Sequence, residues 1–310
     1  MKLAAVDIGS NAIRFQVTHV LNYNGVLTFK KLEYVRFPLR LGQDVFNQNA
    51  ISPEKEAKFI KLMQTFKNLF ELYEVNDYAI CATSAMRESR NGREIAQKVK
   101  EQVGVEIDII DGDKEAELIN SVIFNELDHK NYIHIDVGGG STELNIFINK
   151  VKTATHSFKI GSVRRLNGLD SPEEWEYMRQ WVQENIKRTI PSIIAIGTGG
   201  NIGKIYELAK LAKGTKRPLI TLRKIEEVKK NVARYSLEER INVLMLNPDR
   251  ADVILPATDI YTTVMKWARS RKMLVPEVGL KDGIMLMLYE KHKDEFEKTT
   301  SFVNANKYQK

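Results

Sequence analysis

Two segments of this chain share one pattern: an apolar strand ends in an aspartate and a glycine-containing turn, and a second strand follows. The first segment covers residues 3–18, with the turn after Asp7, and the second covers residues 132–148, with the turn after Asp136. In each segment, apolar and polar residues alternate after the turn, which predicts a β-hairpin with one buried face. The repetition predicts two structurally equivalent halves, each built around one hairpin.

The second turn is nearly bare backbone, because Gly138, Gly139 and Gly140 are followed by Ser141. Without Cβ atoms, peptide N–H groups can close around an anion, and the serine adds a hydroxyl donor. The carboxylate of Asp136 beside such a cradle suits a divalent cation between the two, or an acid that positions a water molecule. A glycine-rich turn beside a solvated aspartate is the simpler alternative.

Other polar residues follow predicted strands elsewhere in the chain. A third glycine turn, residues 197–200, lies between an apolar strand and a helical pattern, which is a favourable place for a phosphate or a nucleotide. Thr83 and Ser84 end another strand, and Arg87 follows them, so these residues are candidates for oxyanion contacts. Glu115 falls in the first turn of a predicted helix, where an acidic residue most often complements the helix dipole.

The length and order of the predicted elements indicate two α/β domains. A chain of 310 residues is long enough to form two domains of about 120–190 residues each. Strands alternate with helices in both halves. No linker rich in proline, glycine or serine separates the halves, so we place the boundary at residue 125 and expect domains 1–125 and 126–310 in close apposition.

Composition limits the chemistry and the partners. The net charge of +7 fits a polyanionic partner, but no nucleic-acid recognition motif accompanies it. No apolar run approaches the roughly 20 residues of a membrane span, and the N-terminus lacks a signal pattern, so a cytoplasmic location is expected. The histidines lack metal-ligand spacing, and His19 and His134, which lie on predicted strands, are expected to form packed or interdomain contacts and not to be ligands. Cys81, the only cysteine, is expected to be a buried thiol.

Taken together and in order, the motifs resemble the exopolyphosphatase and guanosine pentaphosphate phosphohydrolase (Ppx/GppA) family. The resemblance is carried by residues 7–14, 82–87, 112–119, 136–143 and 197–200. That family belongs to the actin-like ATPase superfamily. The resemblance therefore implies two ribonuclease-H-like domains with the active site in the cleft between them.

The resemblance also implies roles for individual residues. Glu115 would be the general base that activates a water for attack on a terminal phosphoryl group. Asp136 and Glu143 would hold or orient Mg²⁺ or Mn²⁺, with Asp7 assisting. The phosphate path would be lined by Ser10, Asn11, Arg14, Thr83, Ser84, Arg87, Gly138, Gly139, Gly140, Ser141, Thr198, Gly199 and Gly200.

The implied activity is metal-dependent release of terminal phosphate from inorganic polyphosphate or from guanosine pentaphosphate. Both substrates end in a phosphoanhydride, so the sequence does not choose between them. Two alternatives stay open: a non-catalytic sensor that binds guanosine tetraphosphate or pentaphosphate, and an ATP-dependent kinase of the same superfamily. No specific nucleic acid and no membrane is expected as a partner, and a homodimer is expected only by analogy with the family.

Overall fold

The computed structural model describes residues 1–307 with the exception of residues 24, 188–189, 191 and 211–217; the side chains of residues 125 and 297–307 are also outside the description. Within this part of the chain, helices surround two mixed β-sheets, so the predicted α/β class is confirmed. None of the described helices combines the length and the apolar character needed to cross a membrane.

The first sheet has five strands in the order β3-β2-β1-β4-β5. Its strands are β1 (Lys2–Ile8), β2 (Ile13–Tyr23), β3 (Val26–Phe37), β4 (Asp77–Ala82) and β5 (Asp108–Ile109). The helices that accompany it are α1 (Leu41–Gln48), α2 (Pro53–Leu72), α3 (Ser84–Glu88) and α4 (Gly92–Val103).

The second sheet has six strands in the order β10-β11-β9-β6-β7-β8. Its strands are β6 (Tyr132–Val137), β7 (Thr142–Ile148), β8 (Val151–Phe158), β9 (Ile194–Thr198), β10 (Leu219–Thr221) and β11 (Lys272–Leu274). Helix α5 (Gly112–Ile123) precedes this sheet, followed by a 3₁₀ turn (Phe124–Glu126). The later helices are α6 (Ser162–Leu166), α7 (Pro172–Asn185), α8 (Gly200–Leu208), α9 (Leu222–Val232), α10 (Leu237–Asn242), α11 (Pro248–Ala251), α12 (Ile254–Trp267) and α13 (Leu280–Lys307).

The two sheets repeat one topology. In each, three antiparallel strands are followed by a strand that pairs in parallel with the first of them: β4 with β1, and β9 with β6. Both hairpin tips are also equal in length, since Ile8 faces Ile13 and Val137 faces Thr142. The predicted pair of equivalent halves is therefore confirmed.

Helices α2 and α5 each begin after a residue whose side chain accepts a hydrogen bond from the first turn. The Ser52 hydroxyl accepts from the backbone N–H of Lys55 at the start of α2, and the Asp111 carboxylate accepts from that of Lys114 at the start of α5. These side chains satisfy amide donors that the first turn of a helix leaves free. Cys81 is 2% exposed in β4, and burial raises the pKa of its thiol to about 12, as expected for a structural cysteine.

Helix α13 joins the second sheet to the first. It follows β11 in the sequence, yet it packs against α5 and β1. Its Gly283 lies so close to α5 that a Cβ atom there would be 2.1 Å from the carbonyl oxygen of Leu118. Helix α13 therefore fixes the position of the helix that carries Glu115. The domain boundary at residue 125 stays a prediction.

Gly283→Ala is expected to lower the free energy of unfolding by about 1–3 kcal/mol, because the new methyl group would meet helix backbone that cannot turn aside. Gly203→Ala is the matched control, since a Cβ atom at Gly203 in α8 would meet nothing within 4 Å. Alanine is favoured over glycine inside a helix by up to about 1 kcal/mol, so the control should be neutral or more stable. Urea denaturation measures both, and equal stabilities for the two variants would contradict the close packing.

Candidate active site

A cavity of about 660 Å³ lies between the two halves, at the hairpin tips. The tips touch: a Cβ atom at Gly139 would be 2.8 Å from the Cβ of Ser10. Fourteen of the predicted site residues line the cavity, drawn from both halves of the chain. They are Asp7, Ser10, Asn11, Arg14, Thr83, Ser84, Glu115, Asp136, Gly138, Gly139, Ser141, Glu143, Gly199 and Gly200.

Three predicted residues lie behind the cavity wall. The Arg87 guanidinium stands 3.6 Å from Oε2 of Glu115. A Cβ atom at Gly140 would be 2.3 Å from the ring of Phe46, so this glycine permits α1 to pack on the hairpin tip. Thr198 is 1% exposed at the end of β9. These residues support groups that line the cavity and do not line it themselves.

The two hairpin tips have the same backbone turn. In the first, the N–H of Gly9 donates to the carbonyl of Ala12 at 3.2 Å, and in the second the N–H of Gly138 donates to the carbonyl of Ser141 at 3.0 Å. Among the described residues, the backbone N–H groups of residues 10–11 and 139–140 donate no hydrogen bond to another backbone carbonyl in these turns. Both tips therefore keep peptide donors available for an anion.

Strand pairing and a helix start bring three carboxyl groups to this cavity. Asp136 at the end of β6 lies directly opposite Glu143 on β7, so the two side chains project from the same face of the sheet. Glu115 enters from the first turn of α5, where it is 9% exposed. Like charges directly opposite each other destabilise a sheet, so this arrangement needs a compensating charge or proton.

Burial is the first cause of raised pKa values in all three groups. It raises the pKa of Asp136 to about 7, with repulsion from Glu143 as the second cause. It raises the pKa of Glu143, against hydrogen bonds that include one from the Ser157 hydroxyl at 2.9 Å. It holds the pKa of Glu115 well above its usual range, and repulsion from Glu143 adds to this. The cluster is therefore one that a cation would stabilise.

The equivalent position in the first hairpin is already neutralised. Asp7 faces Arg14 in the pairing of β1 with β2, and Arg14 Nη1 lies 2.6 Å from Asp7 Oδ2. The repeat thus places an ion pair at one hairpin tip and two carboxyl groups at the other. The second tip therefore has carboxyl groups that a cation would neutralise.

Two further arginines line the cavity, and the sequence analysis did not select them. Arg36 on β3 pairs with Asp249. Arg250 makes no ion pair or hydrogen bond through its side chain with the described residues, and burial lowers its pKa, with nearby Arg36 also contributing. Its Nη2 lies 2.8 Å from where a Cβ atom would stand at Gly200, so it faces the third glycine turn. Neither arginine has a local sequence signal, because the cluster forms from distant segments.

One glycine in the third turn is required by both space and conformation. Gly199 has a φ of +97°, which side chains on L-residues rarely allow, and a Cβ atom there would be 3.1 Å from Asp136 Oδ1. The absence of a side chain lets the turn approach the Asp136 carboxylate. This is the place where β9 and α8 meet the second hairpin.

The chemistry of the cluster fits a hard divalent cation. In the described residues, no three acidic, histidine or cysteine side chains are arranged to hold an ion by themselves. Asp136 and Glu143 offer a carboxylate pair, and Oε2 of Glu115 is buried without a hydrogen-bond partner. Mg²⁺ is commonly bound by one or two carboxylates together with water and substrate phosphate oxygens. The carboxyl oxygens of Asp136 and Glu143 therefore fit a Mg²⁺ site of this kind.

The sequence model of the Ppx/GppA phosphatase family matches residues 21–292, which is most of the chain. The chain belongs to the Ppx/GppA phosphatase family. A bifunctional 3-dehydroquinate synthase/phosphatase of Fusobacterium nucleatum is 27% identical over 88% of the chain and 44% of its own length. A guanosine-5'-triphosphate,3'-diphosphate pyrophosphatase of Aliivibrio fischeri is 25% identical over 99% of the chain and 63% of its own length. The chain thus spans between two fifths and two thirds of the length of these two relatives.

Solved structures of Ppx/GppA proteins have the same fold. An exopolyphosphatase from Cytophaga hutchinsonii superposes with a TM-score of 0.79 at 19% identity, covering 94% of this chain and 98% of the other. A family member from Aquifex aeolicus gives a TM-score of 0.72 at 21% identity, again covering 94% and 98%. The expected two-part, actin-like fold is confirmed.

Because the pKa of Asp136 is raised in the folded state, ionisation of this carboxyl should lower the free energy of unfolding of the metal-free protein as pH rises. Below about pH 4 the carboxyl is protonated in both the folded and unfolded states, and between the usual value of 3.8 and the folded value of about 7 only the folded state retains the proton. Stability is therefore lost across this window. Asp136→Asn should raise the free energy of unfolding in chelator at pH 8 by on the order of 3 kcal/mol, and by much less at pH 4.

Asp44→Asn is the control with the opposite sign. Burial raises the pKa of Asp44, but hydrogen bonds from Lys55 and Ser52 outweigh it and lower the pKa overall. This variant should lose stability at pH 8 and nearly as much at pH 4, and it should recover relative to the wild type only below the usual value of 3.8. Denaturant titrations at both pH values measure the two differences. The raised pKa of Asp136 would be refuted if Asp136→Asn had the same effect at pH 4 and pH 8.

Proposed function

We propose that this chain is a metal-dependent phosphohydrolase that removes the terminal phosphate from guanosine pentaphosphate or from inorganic polyphosphate. The observation that carries the proposal is the cluster of three buried carboxyl groups beside a cavity lined by glycine turns, hydroxyls and arginines. The names of the Aliivibrio and Cytophaga relatives support this substrate class. The cytoplasmic location and the homodimer stay predictions.

Asp136 and Glu143 would hold the Mg²⁺ or Mn²⁺ ion, because they are the paired carboxylates at the hairpin tip. Asp7, already paired with Arg14, would assist from the other hairpin. When bound, the ion would neutralise charge on the phosphoryl oxygens and relieve the repulsion between the two carboxylates. Mg²⁺ or Mn²⁺ is therefore the cofactor that we propose for this site.

Glu115 would act as the general base. Its Oε2 atom has no hydrogen-bond partner among the described residues and is therefore able to accept a proton from the attacking water. Burial raises the pKa of Glu115, which makes its ionised form a stronger base. The water oxygen would bond to the terminal phosphorus, the phosphoanhydride bond would break, and the shortened chain would leave with the electron pair. Lys114, the neighbouring residue, pairs with Glu117 at 3.0 Å, away from this chemistry.

The other cavity residues would bind and orient the phosphate chain. The free amide groups at both hairpin tips and the hydroxyl of Ser10 are donors to phosphate oxygens. Arg250 would supply a positive charge, since its side chain lines the cavity and forms no ion pair with a described acidic residue. A loose phosphoryl-transfer transition state needs donors around its equatorial oxygens and an in-line water, and this residue set supplies both.

Glu115→Gln is expected to lower the rate of phosphate release by roughly 10²–10⁴, the usual cost of losing a positioned general base. Glu117→Gln, an exposed change on the same helix, is the matched control and should keep the wild-type rate. The assay measures phosphate from guanosine pentaphosphate and from long polyphosphate, with and without Mg²⁺. Nucleotide binding without phosphate release by wild-type protein would favour the sensor alternative, and a strict need for an acceptor molecule would favour the kinase.

Arg250→Gln is expected to raise KM for the phosphorylated substrate by roughly 10–100-fold, with a smaller change in kcat, because a hydrogen bond to a charged group is worth about 1.5–3 kcal/mol. Arg223→Gln, whose side chain is 90% exposed on α9, should leave KM unchanged. Steady-state phosphate release over a range of substrate concentrations separates the two constants. An unchanged KM in Arg250→Gln would remove this residue from the binding path.

A further inference from the structure

A row of buried polar side chains crosses the second half from α5 to β9, outside the cavity lining. Asn120 Nδ2 donates to Asn145 Oδ1 at 3.0 Å, and Asn145 Nδ2 lies 3.0 Å from His134 Nδ1. His134 Nε2 in turn lies 2.8 Å from Thr198 Oγ1. All four residues are buried, so their polar atoms need partners inside the protein. Asn120 Oδ1 is the one side-chain polar atom of these four residues that lacks a hydrogen-bond partner among the described residues.

Strand register explains why these residues meet. His134 on β6 lies directly opposite Asn145 on β7, and Thr198 on β9 pairs with Asp136, two residues beyond His134 on the same face of β6. This register places the Thr198 hydroxyl beside the Asp136 carboxyl, whose pKa it lowers against the effect of burial. The row therefore begins on the helix that carries Glu115 and ends at the proposed cation ligand.

The position of each hydrogen-bonding proton in this row can be deduced if Asp136 is taken as ionised. An ionised carboxylate only accepts hydrogen bonds, and a threonine hydroxyl has one proton to donate. If that proton points to Asp136, Thr198 Oγ1 must accept from His134, and Nε2 must carry the ring proton. His134 Nδ1 is then an acceptor for the Asn145 amide, and the Asn145 oxygen accepts from the Asn120 amide. The Thr155 hydroxyl, 2.7 Å away, donates to the same oxygen.

We propose that His134 is a positioning residue for Asp136. As the Nε2–H tautomer, it donates to Thr198 and thereby directs the hydroxyl proton of Thr198 toward the Asp136 carboxylate. Every donor from Asn120 to Thr198 then points toward Asp136. The inference rests on the proposed function in one respect: a carboxylate oriented in this way is useful because it would hold a cation.

The tautomer gives a test that needs neither metal nor activity. The test uses resting protein labelled with ¹⁵N-histidine, held about two pH units above the Asp136 pKa of about 7 so that this carboxyl is ionised. The side-chain nitrogen shifts of His134 then distinguish a protonated Nε2 from a protonated Nδ1. The expected result is a neutral ring with the proton on Nε2. A proton on Nδ1 would reverse the row, direct the Thr198 hydroxyl toward His134, and overturn the proposal.

Variants of His134 test its effect on the cation site. His134→Gln places an amide donor near the position of Nε2 and should retain Mn²⁺ binding, whereas His134→Asn places its amide near Nδ1 only. The asparagine variant should bind Mn²⁺ roughly 10–100-fold more weakly, which is the usual cost of losing a partner that orients a metal ligand. Electron paramagnetic resonance of Mn²⁺ with resting protein measures this. Equal affinity in the two variants would contradict the role of the Nε2 donor.

If the His134 variants do not fold, variants of Thr198 test the same effect on Mn²⁺ affinity. Thr198→Ser retains the hydroxyl and should bind Mn²⁺ like the wild type, while Thr198→Val should lose roughly 10–100-fold in affinity. Thr153→Val on β8 is the matched control, because its hydroxyl bonds only to the carbonyl of Ile146, at 3.3 Å. Wild-type affinity in Thr198→Val would overturn the proposal. Absence of Mn²⁺ binding by wild-type protein would refute the cation site itself, independently of the tautomer.

Discussion

Repulsion among Asp136, Glu143 and Glu115 is the constraint to which the surrounding structure responds. The strand register fixes two of these carboxyl groups opposite each other, and the start of α5 brings in the third. Groups around them offset part of the cost: Arg87 approaches Glu115, and Ser157 donates to Glu143. The pKa values nonetheless remain raised, so the neighbours compensate incompletely. A cluster of this kind is costly for stability and is typical of a functional site.

The two sheets have the same topology, but the equivalent positions at their hairpin tips carry different charges. At the first hairpin, Asp7 and Arg14 form an ion pair that is complete within the protein. At the second, Asp136 faces Glu143, and the charge is balanced only when a cation or protons are added. One hairpin therefore contributes a neutral ion pair to the cavity, and the other contributes the two carboxyl groups proposed to hold the cation. Helix α13 holds α5 in place, because Gly283 allows the two helix backbones to touch.

Much of this fold could be predicted from the sequence because the signals are local. Alternating apolar residues predict the two hairpins, and the residues around Glu115 predict the helix that carries it. The short helices α1, α3 and α6 lack such signals, since helices of this length depend on tertiary packing. The motifs also did not separate residues that line the cavity from those behind it, such as Gly140 and Thr198. Arg250 and the row through His134 depend on contacts between distant segments, which local patterns do not encode.

The most direct test of the account is the number of protons released when Mg²⁺ binds. Isothermal titration calorimetry at pH 7 in buffers of different ionisation enthalpy measures this number. A cation that replaces protons on carboxyl groups with raised pKa values must release them. The account predicts proton release by the wild type and its loss, with Mg²⁺ binding, in the double variant Asp136→Asn, Glu143→Gln. Mg²⁺ binding without proton release, or binding that survives in the double variant, would contradict it.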